Sequence, residues 1–547
     1  GFGRTAREKG LKIAVIDKTG AAKPRREALL LAADEQGNVP FTATGGSDDA
    51  LLAEFRRLYE AADIIIVNYG EGPGALADTD AFLGRVTALI NKNITMLMVI
   101  TPNPPAEMVR GNFSLTPVVV AGPGLDEGIL TTNTTKRPGL IANVDFVPAV
   151  MSHFGIKELP GYVGEPVGIK KVDDPLNHVL KDFDQYKNLK ISRYIIHSFY
   201  ATVTVLALLV IYLPVLGRRP VTGPTFTRAL ALSVFTLPMM NYLLSPLLDF
   251  SRSYLFTFLI VFSAFLIGYL FSRWSDDLLL PLGLISLFTS LTLLTGIFFG
   301  GNIHLDSPLG YADVFVGGRY YGMGNDTMGI MLGASVLGTF ALFQSFRFSR
   351  AAAVAAGFIY MALPVIGLSP PFGANVGGTI AAMVVATLSV AVLAGGKPVS
   401  WRHILFIVAL VFAVEVGIAY LDAFLNTRRT HAGNVLADLM AGNFPAKFLH
   451  VLWSKLSLFL LMLVVPPWNL ILFGEYYLVY KMYRQGAFGR LYESYSHLAR
   501  GFTVMFFGGV VAFLFNDTGV IATAMMYTYL LIPLGLLASG SMRKDGR

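Results

Sequence analysis

The stretch RYIIHSFYATVTVLALLVIYLPVL, residues 193–216, decides how this chain is read. It opens with Arg193 and His197 and then runs to Leu216 without another charge. Roughly 20 apolar residues suffice for a helix to cross the hydrocarbon core of a bilayer. Comparable stretches follow at 227–248, 254–272, 278–299, 327–346, 351–368, 375–395, 403–424, 463–483, 499–515 and 519–539. The pattern predicts an all-α, polytopic transmembrane domain of about eleven helices over residues 191–547. The bilayer is thus the first partner expected.

Residues 1–190 are of another kind. Segment 11–16 is a short buried-type strand, and 62–67 is an apolar, β-branched run followed by the Gly-rich turn NYGEGPG at 68–74. Segments 95–100 and 115–121 read as further strands. Helical spacing covers 25–34, 48–61 and 78–91. Strands separated by helices predict an α/β domain with a mainly parallel sheet.

Charge adds sidedness. Residues 1–190 hold 21 Lys+Arg against 23 Asp+Glu, whereas the remainder holds 22 against 13. The first domain is near neutral, which argues against a nucleic-acid partner. In the second, one set of loops collects Arg218, Arg219, Arg228, Arg273, Arg347, Arg350, Lys397, Arg402, Lys481, Arg484, Arg490 and Arg500, and the tail holds Arg543, Lys544 and Arg547. Basic loops stay in the cytoplasm, so the C-terminus is expected inside and the N-terminal domain outside. Segment 447–465, with Lys447, His450 and Lys455 ahead of Pro466-Pro467, reads as an amphipathic interfacial helix. As a twelfth span it would reverse the sidedness on one side of it. The chain has no cysteine, which excludes disulfides and thiolate metal sites. An exported domain without disulfides fits a prokaryotic plasma membrane. Since the chain opens at Gly1 without an apolar leader, export is expected to rely on a segment upstream, the alternative being a domain that translocates with its first span.

Three segments of the first domain together resemble the alkaline phosphatase superfamily. They are RPGLIANVDFVPAV at 137–150 closing with Phe154-Gly155-Ile156, IIIVNYGE at 64–71, and MLMVITPNP at 96–104. Over about residues 11–166 their order and spacing match that family, and the resemblance implies an alkaline-phosphatase-like fold. It also implies Asp and His ligands for two divalent metals. Here Asn68 and Glu71 stand where Asp and His are implied, and Pro102-Asn103 where Asp-His is implied. Neutral amides and a proline ring are poor zinc ligands, so no metal and no cofactor are expected in this degenerate domain, a pseudoenzyme. The cluster TTNTTKR at 131–137 reads either as an oxyanion-binding loop or as a polar surface turn.

In the membrane half, polar residues gather in the loops expected outside. Gly300–Asp326 contains His304, Asp306, Asp313, Arg319, Asn325 and Asp326; 369–378 contains Asn375; 426–434 contains Arg428, Arg429 and His431; 516–519 contains Asp517. Arg319, Arg428 and Arg429 break the positive-inside pattern, and base beside Gly-rich backbone suits an anionic headgroup. Asn325, Asp326, Asn375 and Asp517 also stand where spans begin and serve equally as helix caps. Glu415 lies mid-span, either on a proton or ion pathway or as a hydrogen-bonded structural acid. Glu475, nearer the cytoplasmic end, reads as a snorkelling side chain.

No dinucleotide fingerprint, phosphate-cradling Lys loop, HExxH pair or catalytic Ser motif occurs. The segments GGRYYGMGND and NDTG resemble those of prokaryotic membrane proteins that fuse a phosphatase-like domain to many spans. The expectation is a cell-envelope protein handling an anionic, lipid-linked substrate at the outer leaflet, the first domain binding or positioning it. The alternatives are a transporter or flippase using Glu415, and a metal-dependent phospho- or sulfotransferase with ligands upstream.

Overall fold

The computed structural model describes residues 2–18, 26–34, 36–70, 75–156, 159, 162–217, 219, 221, 223–247, 253–275, 277–299, 303–317, 319–346, 348–369, 372–395, 400–425, 444–464 and 467–545. The chain divides into two units, Gly1–Asp182 and Phe183–Arg547.

The first unit is built on β1 (Ile13–Asp17), flanked in parallel by β2 (Phe41–Thr44) and β3 (Ile64–Asn68). All five residues of β1 are buried, as a central parallel strand covered on both faces requires. Ala14 and Ile16 face a core shared with α3 (Asp48–Tyr59) and α4 (Ala75–Thr87), through Leu51, Phe55, Leu58 and Phe82. Ile13 and Val15 point the opposite way, toward Ala6 of α1 (Phe2–Glu8), Ala32 of α2 (Arg26–Ala32) and Met151. Ser47 caps α3, its hydroxyl accepting from Ala50 N at 3.3 Å.

This small sheet is parallel as expected, but among the described residues parallel pairing does not extend beyond it. β4 (Leu97–Ile100) and β5 (Val118–Ala121) form an antiparallel pair, and so do β6 (Ile129–Thr131) and β7 (Gly168–Lys170). The reason lies in the connection. A parallel crossover must carry the chain back along the sheet, usually on a full helix, and the segment between β4 and β5 holds only α5 (Ala106–Arg110). α6 (Phe146–His153) follows β6.

The second unit is helical: α7 (Pro175–Leu216, which carries the boundary between the units), α8 (Pro224–Leu244), α9 (Ser253–Trp274), α10 (Leu279–Phe298), α11 (Asn325–Phe346), α12 (Arg350–Leu368), α13 (Val376–Ala394) and α14 (Trp401–Leu425). Then come α15 (Phe444–Val464), α16 (Trp468–Arg484), α17 (Ala487–Ser494), α18 (Ser496–Phe515) and α19 (Gly519–Asp545). Among the described residues nine of these are long and apolar enough to cross a membrane, and a tenth crossing arises if the bent pair Leu456–Val464 and Trp468–Arg484 counts as one. That pair is bent by 78°. The stretch 463–483, expected as one span, is therefore broken beside Pro467, where proline removes a backbone donor and crowds the preceding turn. Residues 447–464 of the segment read as an interfacial helix fall within α15, and residue 465 lies outside the described residues.

α11 and α19 are apolar all round and almost wholly enclosed, as that composition demands. They touch closely at Gly329, where an added Cβ would lie 2.2 Å from the Ala522 carbonyl oxygen. α9 and α12 are peripheral and expose long apolar side chains such as Phe258, Phe262 and Phe358.

Candidate functional site

Three helices of the second unit begin at one place. Asn325, first residue of α11, donates from Nδ2 to Asp517 Oδ1 (2.9 Å) and to Thr518 Oγ1 (2.6 Å), just ahead of α19. Its Oδ1 accepts from Asn375 Nδ2 at 2.8 Å, and Asn375 is the N-cap of α13. Asn375 also donates to the Met323 carbonyl (3.0 Å) and accepts from Gly378 N (2.8 Å). Asn375 thus fills the cap role expected of it and also joins α13 to α11. Loop 303–324 closes over the same end. Met323 N donates to the Gly373 carbonyl at 2.7 Å, and His304 Nε2 lies 3.0 Å from the Gly322 carbonyl. Gly322 has φ +79°, and a Cβ there would approach Gly373 O to 2.3 Å. Only glycine meets both demands.

A buried ion pair lies beside this junction. Asp326, 7% exposed, accepts from Arg193 Nη2 at 2.9 Å, while Arg193 Nη1 donates to the Tyr311 carbonyl at 2.7 Å. His197, one turn on in α7, stands 3.8 Å from the same carboxylate and 3.1 Å from the Leu309 carbonyl. Lys190 pairs with Asp313 at 2.8 Å. In the sequence Lys190, Arg193 and His197 stand only as the charged flank of an apolar stretch. The signal that marks them is the i, i+4 spacing of Arg193 and His197 on one helix face, inside rather than outside the span.

Arg319 differs from these cations. It is mostly buried, and Asp517 and Asp326 lie within electrostatic reach, yet among the described residues no hydrogen bond or salt bridge reaches its guanidinium. Burial pushes its pKa below the ordinary arginine value, and the two carboxylates with Tyr321 oppose that shift.

The structure therefore brings together Arg319, Asn325, Asp326, Asn375 and Asp517. Arg428, Arg429 and His431 lie outside the described residues, as does the side chain of Glu415, which falls in α14. Glu475 corrects the snorkelling expectation. It is wholly buried, with Oε1 accepting from Thr528 Oγ1 at 3.2 Å, because its face of α16 packs on α19.

In the first unit the segments behind the resemblance take structural roles. Asp17 and Asn68 end neighbouring strands in register, and Asn68 Nδ2 donates to Asp17 Oδ1 at 3.2 Å. An amide here satisfies the carboxylate that a second acid would repel. Beside them Lys18 pairs with Asp48 at 2.8 Å and stacks 3.6 Å over Tyr69, whose hydroxyl donates to Asp48 at 3.0 Å. Pro102 and Asn103 follow β4, in a different sheet; Glu71 lies outside the described residues. The threonine cluster is folded inward rather than open to an oxyanion. Thr132 and Thr134 donate to the buried Asp145, and Thr135 donates to the Leu140 carbonyl. Among the described residues no group of three or more His, Asp or Glu gathers as metal ligands do.

Comparison of the chain with protein-family models, curated proteins and solved structures finds no match. Its helices define the class: an integral membrane protein, many of whose helices are long and apolar enough to span a bilayer, with a small α/β unit preceding them.

Proposed function

We propose that this protein recognises an anionic, lipid-linked substrate at the junction of α11, α13 and α19, in the outer leaflet of a prokaryotic plasma membrane. The observation that carries the proposal is Arg319, a mostly buried guanidinium without a direct partner among the described residues, in the same electrostatic neighbourhood as three converging helix N-termini. Each N-terminus presents partial positive charge. A guanidinium adds two-point hydrogen bonding to a phosphate-type group. Asp326 and Asp517 balance part of that charge before a ligand arrives. Charge in the loops supports sidedness with the junction and the α/β unit outside. In this reading the first unit is a degenerate relative of the alkaline phosphatase superfamily that binds or positions the substrate. Asn68 in place of a ligand Asp supports that role over metal-dependent transfer. A transporter or flippase for the same substrate is the second reading, and the buried Glu475 favours it.

The test uses full-length protein in detergent, titrated with fluorescent phosphatidic acid or phosphatidylcholine. Phosphatidic acid should bind and phosphatidylcholine should not. Arg319→Ala should weaken binding about tenfold or more, equivalent to about 1.4 kcal/mol, and Arg319→Lys nearly as much. Equal binding by wild type and both variants overturns the proposal.

A further inference from the structure

Glu475 is buried in the second unit with no exposed surface. Its Oε1 accepts from Thr528, and its Oε2 has no hydrogen-bond partner among the described residues. Among the described residues, the Thr528 hydroxyl bonds to it and the other groups placed within its electrostatic reach are tyrosine hydroxyls. α7 contributes Tyr200 and Tyr212, α19 contributes Tyr527 and Thr528, and α16 itself contributes Tyr476. α15 and α17, also packed on α16, bring no titratable side chain within electrostatic reach among the described residues. Among the described residues no cation pairs with this carboxylate.

The hydroxyls continue away from Glu475. Tyr200 OH and Tyr529 OH are buried and, among the described residues, have no hydrogen-bond partner. Tyr529 lies within electrostatic reach of Tyr200 and Tyr242. Tyr242 OH donates to Thr327 Oγ1 at 3.2 Å, and Thr327 N donates to Asp326 Oδ1 at 2.8 Å. Electrostatic neighbours, followed by two hydrogen bonds, thus lead from a deep carboxyl toward the Arg193–Asp326 pair at the loop end. Each buried polar atom left unpaired costs about 1–3 kcal/mol. Water bridging such atoms recovers much of that, and ionisable groups at membrane depth mark proton relays.

We propose that Glu475 binds and releases a proton within the membrane unit, exchanging it with the Asp326 end through the hydroxyls of Tyr200, Tyr529 and Tyr242 and bridging water. One O–H bond forms at Glu475 Oε2 as the O–H bond of the adjacent donor breaks. That donor regains its proton from bulk water at the loop end, and no electron moves. The proposal goes beyond anion recognition and does not depend on it.

Infrared difference spectra of the full-length protein, between acidic and alkaline buffers, test it. A carboxylic C=O band should titrate reversibly, vanish in Glu475→Gln and shift in Glu475→Asp. If the Gln variant fails to fold, the Asp shift still assigns the band. The absence of any titrating band that changes in these variants overturns the site. On transfer to D₂O, Tyr200→Phe and Tyr529→Phe should slow exchange of the band about tenfold or more, as losing one relay hydrogen bond of about 1.4 kcal/mol would. Exchange at the wild-type rate in both overturns the route, since Phe keeps the packing and removes only the hydroxyl.

Discussion

Asp145 shows how one buried acid can organise a segment. It accepts from the Thr132 and Thr134 hydroxyls and from the backbone N–H of Ala142 and Glu165. Asp145→Ala leaves those donors without an acceptor and should destabilise the first unit by on the order of 3 kcal/mol. Hydrogen exchange of peptides covering 129–170 should report the loss. Asp326 is the corresponding residue in the second unit. Removing one member of a buried pair costs about 3–5 kcal/mol, so Arg193→Ala should lower the thermal midpoint in detergent sharply. A Lys190→Ala control should lower it less, since Asp313 is the more exposed partner. Asp48 supplies a pH dependence. The Lys18 hydrogen bond, with help from Tyr69, holds its carboxyl below the usual range. A depressed acid contributes stability above its unfolded pKa of about 3.9, and that stability is lost as pH falls through the folded value. The pair is partly exposed, so the contribution is about 0.5 kcal/mol or less after screening. Asp48→Asn should flatten the acid limb of protection in β1 and α3, measured by hydrogen exchange corrected for intrinsic rates.

At the scale of elements, close helix packing explains the glycines of α11. Gly329→Ala places a methyl against the Ala522 carbonyl backbone, which cannot yield as a flexible side chain would. Overpacking of this kind costs about 1–3 kcal/mol, so the variant should unfold at lower temperature. Gly474→Ala in α16 meets nothing within 4 Å and should be tolerated. Asn375 is an element-scale residue as well, because it caps α13 and joins α11 to it. Its cap alone is worth about 1 kcal/mol. Asn375→Ala should exceed that figure, and Asn375→Asp, which keeps the cap but loses the amide donor, should recover only part. A thermal series of the two variants separates the contributions.

At the scale of the molecule, sidedness follows from charge. A chain without cysteine permits single cysteines at Ser47, Phe372 and Gly546 to be probed in intact cells with an impermeant thiol reagent. The proposed orientation expects labelling at 47 and at the exposed position 372, and protection at 546; the reverse pattern would invert the protein in the membrane. Nine of the eleven expected apolar stretches, with their approximate limits, were determined by sequence alone, while 403–424 and the broken 463–483 were not matched as single spans among the described residues. In lipid each backbone polar group must be satisfied within its own segment, so length and composition suffice to specify a helix. β1 was legible for a similar reason, since a short run of buried apolar residues is a local signal. The meeting of Asn325 with Asn375 and Asp517, the Arg193–Asp326 pair and the enclosure of Glu475 were decided only by tertiary structure. These partners lie tens to hundreds of residues apart, and nothing in local periodicity says which helix ends adjoin. The antiparallel β4–β5 pair was decided in the same way. Its residues carry strand propensity, but pairing direction depends on the path of the connection, which propensity does not encode.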